Sequence, residues 1–468
     1  MKKQIGIHKR SAGFVLTLVA SLSMAFASAT AQAQRADAAK QPPRVKVDLK
    51  ETRLKNGLRV ITVEDHRAPV ISLALTYNAG SANERKGRTG FAHLFEHMMF
   101  KGSENTSAGE HLNLVLNNGG VMDATTGADR TNYFAALPAN QLDLALFLES
   151  DRLRSLSITQ EAFDTERNVV QEERRMRIDN QPYGKSREVL NDLLYDNFAY
   201  KHPGIGSMED LNAATLEDIR EFFKTYYAPN NVTLVLVGDF KTADALAKIN
   251  KYFGDIPRQP APPLVGLTEP EQKAERRATV EDALARAPQL SLGFKAAVGN
   301  TPDFYALQTL SAALASGQSS RLYQTLVKEK ELAGSVFGFV DERRGPGALY
   351  ITATLRPGKK VEEVEAAIYA EIERLGKEPA ASAELEKAKN AISLGFINNL
   401  QRSLLRAIII GQYAVSFDDP NLINTWLDKI AAVTAEDVQR VASKYLRPAN
   451  RTVVITLPKG AMVGGEAK

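Results

Sequence analysis

The chain has 468 residues, 44% of them hydrophobic and 24% charged, which is the composition of a globular protein large enough for two or more domains. Its net charge of +4 equals the charge of its first 33 residues, so the remainder is nearly neutral and predicts no nucleic-acid partner. Cysteine is absent, which excludes disulfides, a cysteine nucleophile and thiolate metal ligands.

Residues 1–33 have the pattern of a cleaved secretory signal peptide. A basic start is followed by an apolar stretch at about positions 13–27 and by a small-residue cleavage site at residues 31–33. The alternative is a membrane anchor, but polar residues interrupt the stretch, and it is shorter than the ~20 residues that a spanning helix needs. We therefore expect a protein of a bacterial periplasm, with no membrane span in the mature chain.

Residues 45–255 are predicted to form a first domain in which strands and helices are interleaved. An Asn56-Gly57 turn predicts a hairpin that leads into a strand at residues 59–63, and another strand is expected at residues 71–77. Tight hairpins imply antiparallel pairing, so we predict an α+β domain with helices mainly on one face of an antiparallel sheet. Helical patterns follow near residues 89–101, 108–118, 140–156 and 159–178.

One of these predicted helices carries the motif His93-Leu94-Phe95-Glu96-His97. Residues four apart lie on the same face of a helix, so both imidazoles can bind one tetrahedral zinc ion. Glu96 adjoins that face and could act as general base toward a water activated by the metal. The alternative is an ordinary pair of core or surface histidines, but histidine is scarce here, with 6 in 468 residues. The motif therefore predicts a zinc-dependent hydrolase of the inverted zinc-motif class.

A catalytic zinc site usually has three protein ligands, and the sequence offers a carboxylate as the third. The histidines outside the motif have no useful spacing, but a predicted helix carries Glu166, Glu172 and Glu173. Glu166 and Glu173 are seven positions apart and lie on one helix face, while Glu172 points about 100° away. The alternative is a solvated, charged helix surface that binds no metal.

Two segments of the chain repeat one pattern. Thr215 and Thr434 lie 219 positions apart, and each starts a capped helix that is followed by a turn with Pro and Asn and by an apolar strand. The shared register favours an internal duplication over a chance match. The Pro-rich residues 256–275 are predicted to be a linker, followed at residues 276–460 by a homologous domain without the zinc motif.

The motif at residues 93–97, the following residues 98–102 and the acidic helix at residues 166–173 resemble the insulinase/pitrilysin family of inverted zinc metallopeptidases. Smaller members of this family include bacterial proteins similar to mitochondrial processing peptidase. The resemblance implies Glu173, which lies 76 positions after His97, as the third ligand and Glu166 as a residue that orients a ligand. It also implies a zinc-dependent endopeptidase with two homologous domains of the pitrilysin type.

Residues 119–125 resemble the edge strand with which this family pairs extended peptide substrates. The resemblance implies Asp123, Ala124 and Thr125 as substrate-binding residues, with Asp123 in place of the usual Asn. Strand addition uses main-chain groups and does not depend on that side chain. The alternative, an ordinary hairpin strand, fits the sequence equally well.

The second domain departs from the family pattern at Val327 and Gly334. The family carries Arg and Tyr there, which help to orient the substrate carbonyl and to stabilise its oxyanion, whereas neither Val nor Gly has a side-chain donor. We therefore expect the metal-bearing subunit of a heteromeric peptidase, with a sister subunit that supplies the Arg and Tyr. The alternative is a non-catalytic subunit that binds peptides or supports assembly, which would not need zinc.

Overall fold

The computed structural model describes residues 46–460. The predicted signal peptide, residues 1–33, lies outside the described residues. Within residues 46–460, no helix has both the length and the apolar character that crossing a membrane requires.

The secondary structure interleaves strands and helices throughout. The described strands are β1 (Lys50–Arg53), β2 (Arg59–Glu64), β3 (Val70–Tyr77), β4 (Val121–Thr126), β5 (Thr131–Pro138), β6 (Val232–Gly238), β7 (Arg276–Asp282), β8 (Gln289–Val298), β9 (Ala333–Asp341), β10 (Pro346–Leu355) and β11 (Arg451–Pro458). The described α-helices are α1 (Phe91–Met98), α2 (Glu110–Asn117), α3 (Leu142–Ser155), α4 (Gln160–Arg174), α5 (Gly184–Leu194), α6 (Phe198–Lys201), α7 (Met208–Ala213), α8 (Leu216–Tyr226), α9 (Thr242–Phe253), α10 (Pro302–Ala315), α11 (Val361–Lys377), α12 (Ser382–Gln401), α13 (Ser403–Phe417), α14 (Leu422–Ala432) and α15 (Ala435–Tyr445). Wider π-helical turns occur at Arg175–Asp179 and Tyr323–Glu329, and short 3₁₀ turns at Ser81–Asn83, Ala139–Gln141, Pro229–Asn231 and Pro448–Asn450.

The strands form two sheets in which equivalent strands have the same order. The first sheet runs β1-β2-β6-β3-β5-β4 and the second runs β7-β11-β8-β10-β9. In each sheet the last strand of its half, β6 or β11, lies between two earlier strands and pairs parallel with one and antiparallel with the other. The remaining pairs are antiparallel. The predicted α+β class with two homologous domains is confirmed, and each sheet contains one parallel pair that the hairpin argument did not anticipate.

The two segments that the sequence predicts to be repeats have the same local structure, and each lies at the end of its half. Helices α8 and α15 both begin with a reciprocal Thr/Asp capping box, which satisfies N–H groups of the first helical turn. In the turn after each helix, Asn231 and Asn450 donate from Nδ2 to the carbonyl oxygens of Tyr226 and Tyr445, at 2.8 and 2.7 Å. Between the halves, residues 257–275 form neither helix nor strand, in the stretch predicted as the linker.

Each sheet carries helices on both faces, because the two halves exchange one helix. Helix α13 of the second half packs on β3 and β6 of the first sheet, and helix α5 of the first half packs on β8 and β11 of the second. In β3, alternate side chains such as Leu73 and Leu75 enter the core of the first half, while Ser72 and Thr76 face α13. The prediction of helices mainly on one face thus describes only the helices that each half supplies to its own sheet.

Candidate metal centre

Helix α1 presents the motif histidines because its apolar side chains determine how it rotates on the core. Leu94 and Phe95 are fully buried in the core of the first half. The other face of the helix carries His93, Glu96 and His97, which are each partly exposed. The helical spacing of apolar and polar residues thus turns both imidazoles and the carboxylate toward the same space.

Glu173, near the end of α4, meets the two motif histidines. One ligand atom from each of His93, His97 and Glu173 lies within 4.8 Å of the others. Oε1 of Glu173 is 3.7 Å from Nε2 of His93, and its Oε2 is 3.3 Å from Nε2 of His97. Glu172 points outward, with a side chain 56% exposed that pairs with Arg175. Two imidazoles and one carboxylate form a donor set that suits zinc and leaves a fourth position for water or substrate.

Glu166, two helical turns before Glu173 on α4, contacts the side of the His97 ring that faces away from Glu173. Oε2 of Glu166 lies 3.1 Å from Nδ1 of His97, and its Oε1 lies 2.5 Å from Nζ of Lys101. A carboxylate only accepts, so Nδ1 of His97 donates to Glu166, and Nε2, which faces Glu173, is the nitrogen that would bind a metal in place of a proton. Burial opposes the charge of Glu166, but the bonds from His97 and Lys101 outweigh it and lower the pKa of Glu166.

The protonation of His93 also suits metal binding. Burial lowers the pKa of His93 to about 4, and the positive charge of His97 acts in the same direction. A neutral imidazole is the form that ligates a metal. Nε2 of His93 faces the carboxylate of Glu173. Nδ1 of His93 is buried without a hydrogen-bond partner among residues 46–460.

Glu96 lies beside the three potential ligands and is held from the neighbouring strand. The hydroxyl of Thr126, at the end of β4, donates to Oε2 of Glu96. Burial raises the pKa of Glu96, while the bond from Thr126 and the charge of His97 limit that rise. A carboxylate with a raised pKa is a better proton acceptor, provided that it stays ionised at the working pH.

The three potential ligands and Glu96 line one cleft of about 500 Å³ whose wall includes β4. Asp123, Ala124 and Thr125 line the same cleft, so the structure brings the predicted edge strand next to the predicted metal ligands. β4 ends the first sheet, and its hydrogen-bonded neighbour among the described strands is β5. The N–H of Ala124 donates to Oδ1 of Asp123 at 2.8 Å, so this donor faces away from β5 along the free edge.

The sequence reasoning missed three side chains of the site. Arg177 donates to Glu173 at 2.7 Å, and Lys101 pairs with Glu166. Arg177 follows Glu173, and Lys101 follows His97, by four positions, so helical spacing was the available signal. Thr126 had no such signal, because its contact with Glu96 crosses from a strand to a helix.

The two positions of the second domain that depart from the family pattern lie elsewhere. Val327 is buried in the helical turn Tyr323–Glu329, and Gly334 is exposed near the start of β9. Neither is among the described residues that line the cleft.

Comparison with known proteins shows the family of the chain. The family described as "Insulinase (Peptidase family M16)" matches residues 59–205, and "Peptidase M16 inactive domain" matches residues 213–392. The zinc protease PqqE of Helicobacter pylori is 33% identical over 408 residues, which cover 86% of this chain and 92% of that protein. A protein of Arabidopsis thaliana, named as a probable mitochondrial-processing peptidase subunit beta, is 24% identical over 84% of this chain and 76% of its own length.

A solved structure is also similar to this chain over most of its length. The crystal structure of a protease from Helicobacter pylori superposes with a TM-score of 0.85 at 32% identity, and the match covers 88% of this chain and 100% of that one. The chain therefore belongs to the insulinase (M16) peptidase family, and it has the two-domain metallopeptidase fold of that family.

Proposed function

We propose that this chain is a zinc-dependent endopeptidase that hydrolyses extended peptides. The observation that carries the proposal is the convergence of His93, His97 and Glu173 within 4.8 Å, in the same cleft as Glu96. The names of relatives as zinc proteases support it. When bound, zinc would act as a Lewis acid that polarises a substrate carbonyl and acidifies water.

Each side chain of the site then has a separate task. His93, His97 and Glu173 hold the metal, and Glu166 keeps His97 in the tautomer that offers Nε2. Glu96 takes the proton of the attacking water and can return it to the leaving nitrogen. The hydrogen bond from Thr126 orients its carboxylate for this role.

The substrate would bind as an extra strand along the free edge of β4. Main-chain pairing supplies affinity without demanding one particular sequence, and it holds the peptide extended across the cleft. Asp123, Ala124 and Thr125 would form this contact, with the outward N–H of Ala124 as one donor.

We further propose that the chain works with a sister subunit in the periplasm. Val327 and Gly334 have no side-chain donor for an oxyanion, so the Arg and Tyr would come from the partner. The signal-peptide pattern of residues 1–33 supports export.

The test uses the full mature chain, alone and with any protein that co-purifies with it from its native host. Zinc content is measured, together with hydrolysis of internally quenched peptides before and after chelation, and His97→Ala serves as the control. One zinc per chain and chelator-sensitive hydrolysis are expected. A chain without zinc after careful preparation would favour the non-catalytic subunit. Full activity from a monodisperse monomer would refute the need for a partner.

A further inference from the structure

The start of the zinc-motif helix α1 is capped by a residue from outside the helix. Gly90 precedes the helix in the left-handed conformation, with φ +86°, and the first turn of α1 contains no acidic residue. Oε2 of Glu84 accepts the N–H of Gly90 at 2.9 Å, and Oε1 accepts the N–H of Ala92 at 2.8 Å. The side chain of Glu84 is fully buried, so a desolvated carboxylate lies at the positive end of this helix.

His202 holds that carboxylate in place. Nε2 of His202 lies 2.9 Å from Oε2 of Glu84, and Nδ1 lies 2.8 Å from the carbonyl oxygen of Phe198. A carbonyl oxygen only accepts, so Nδ1 carries a proton, and Nε2 donates to the carboxylate. When Glu84 is ionised, both ring nitrogens donate and His202 is an imidazolium; its ring stacks on that of Phe198, with centroids 4.4 Å apart.

The loop that follows His202 also contacts α4, the helix that bears Glu173. The carbonyl oxygen of Gly206 accepts from Nη1 of Arg174 at 2.8 Å. The same loop packs directly on the start of α1, because a Cβ on Gly206 would lie 2.6 Å from Cα of Gly90. One short loop thus touches the beginning of the helix with two potential ligands and the end of the helix with the third.

We propose that the buried Glu84–His202 pair is a positioning device that sets the spacing between the two ligand-bearing helices. This inference rests on the proposed zinc site. Metal ligands must be held to within a few tenths of an ångström, so a small shift of α1 relative to α4 would weaken zinc binding without removing any ligand. Neither Glu84 nor His202 lines the cleft, so both act through the helices and not on the substrate.

The chain offers a matched control in Glu269, which is equally buried, with a side chain 2% exposed. Its carboxylate likewise accepts two main-chain N–H groups, those of Asp196 and Asn197, and pairs with one cation, Lys295. Glu269→Gln should therefore cost folding stability much as Glu84→Gln does, but the hydrogen-bond partners of Glu269 belong to neither ligand helix.

The experiment measures zinc affinity by competition with a chelator, the visible spectrum of the cobalt-substituted protein, and the melting temperature of the apo-protein. Glu84→Gln should weaken zinc binding about 10- to 100-fold and change the cobalt spectrum. Glu269→Gln should lower the melting temperature similarly while leaving both metal readouts at the wild-type values. His202→Gln, which keeps a donor for Glu84 but removes the charge, carries the test if Glu84→Gln does not fold.

Wild-type zinc affinity and an unchanged cobalt spectrum in Glu84→Gln, or in His202→Gln when that variant carries the test, would overturn this inference while leaving the proposed function intact. Equal losses of zinc affinity in Glu84→Gln and Glu269→Gln would also overturn it, because the effect would then be one of general stability. A wild-type chain that binds no zinc would overturn the proposed function and this inference with it.

Discussion

Glu166 accepts a hydrogen bond from Nδ1 of His97 at 3.1 Å, on the side of the ring opposite to Glu173. The contact fixes both the tautomer and the orientation of the imidazole before any metal arrives. Together with the contact between Glu173 and His97, it joins α4 to α1 at two points.

Glu166→Gln should therefore weaken zinc binding by about 10- to 100-fold, because the amide cannot hold His97 as a carboxylate does. Zinc affinity is measured by competition with a chelator. Glu172→Gln is the control, since Glu172 belongs to the same helix but points to solvent. Equal zinc affinities for the two variants would show that Glu166 does not orient His97.

Glu96→Gln should keep zinc and lose about 10²- to 10⁴-fold in kcat, because the proton acceptor is removed while all three ligands remain. The measurements are zinc stoichiometry and hydrolysis of a quenched peptide by the same preparation. Thr126→Val keeps the carboxylate but removes its hydrogen bond, and an intermediate loss is expected. Wild-type turnover in Glu96→Gln would rule out Glu96 as the base.

Ala124→Pro should raise KM for extended peptides at least about tenfold, because it deletes the N–H that faces the free edge of β4. Proline is tolerated at an edge strand when its N–H is not needed by the neighbouring strand, so the fold should survive. Zinc content checks that the site is intact. Asp123→Ala leaves the outward N–H in place and should bind peptide at least as well as the wild type. An unchanged KM in Ala124→Pro would exclude strand addition at this edge.

Gly411→Ala should destabilise the exchanged helix α13 by about 1–3 kcal/mol, because the new Cβ would lie 2.2 Å from Oγ1 of Thr76 on the first sheet. Gly395→Ala, in the middle of α12, meets nothing within 4 Å and should add about 0.5–1 kcal/mol of helix stability. Chemical denaturation of both variants measures the difference. A neutral Gly411→Ala would mean that α13 does not pack tightly on the first sheet.

Glu342→Gln should stabilise the protein at pH 8 but not at pH 4. Burial raises the pKa of Glu342 to about 7, so the folded state binds more protons than the unfolded state, and wild-type stability falls as pH rises from about 4.5 to 7. Removing the charge should recover on the order of 1–3 kcal/mol at pH 8. Denaturation at the two pH values measures this effect.

Asp303→Asn provides a control of opposite sign for this pH dependence. Burial opposes the charge of Asp303, but bonds from Lys444, Arg440 and Tyr445 lower its pKa to about 2. The ionised form thus stabilises the wild type above the unfolded-state pKa, so the Asn variant should be less stable at pH 8. A destabilised Glu342→Gln at pH 8 would contradict the assignment of Glu342, and a stabilised Asp303→Asn would contradict that of Asp303.

The local parts of the site were predictable from the sequence. The spacing of His93 and His97, and of Glu166 and Glu173, places each pair on one helix face, because helical geometry depends only on nearby residues. The 219-residue repeat likewise predicted two homologous halves, since equal patterns of caps, turns and apolar runs form equal elements. The third ligand followed from the family resemblance, and the structure places Glu173, not Glu172, beside the histidines.

The sequence by itself determined the helices that carry the site, their faces and the duplication, whereas the tertiary structure decided how these parts combine. β6 returns between β2 and β3, which run in opposite directions, so it must be parallel to one of them, and no hairpin signal reports this. The exchange of α5 and α13, the bond from Thr126 to Glu96 and the Glu84–His202 pair join residues that are 30 to more than 300 positions apart. Such contacts depend on where whole elements pack, and a periodicity along the chain carries no information about them.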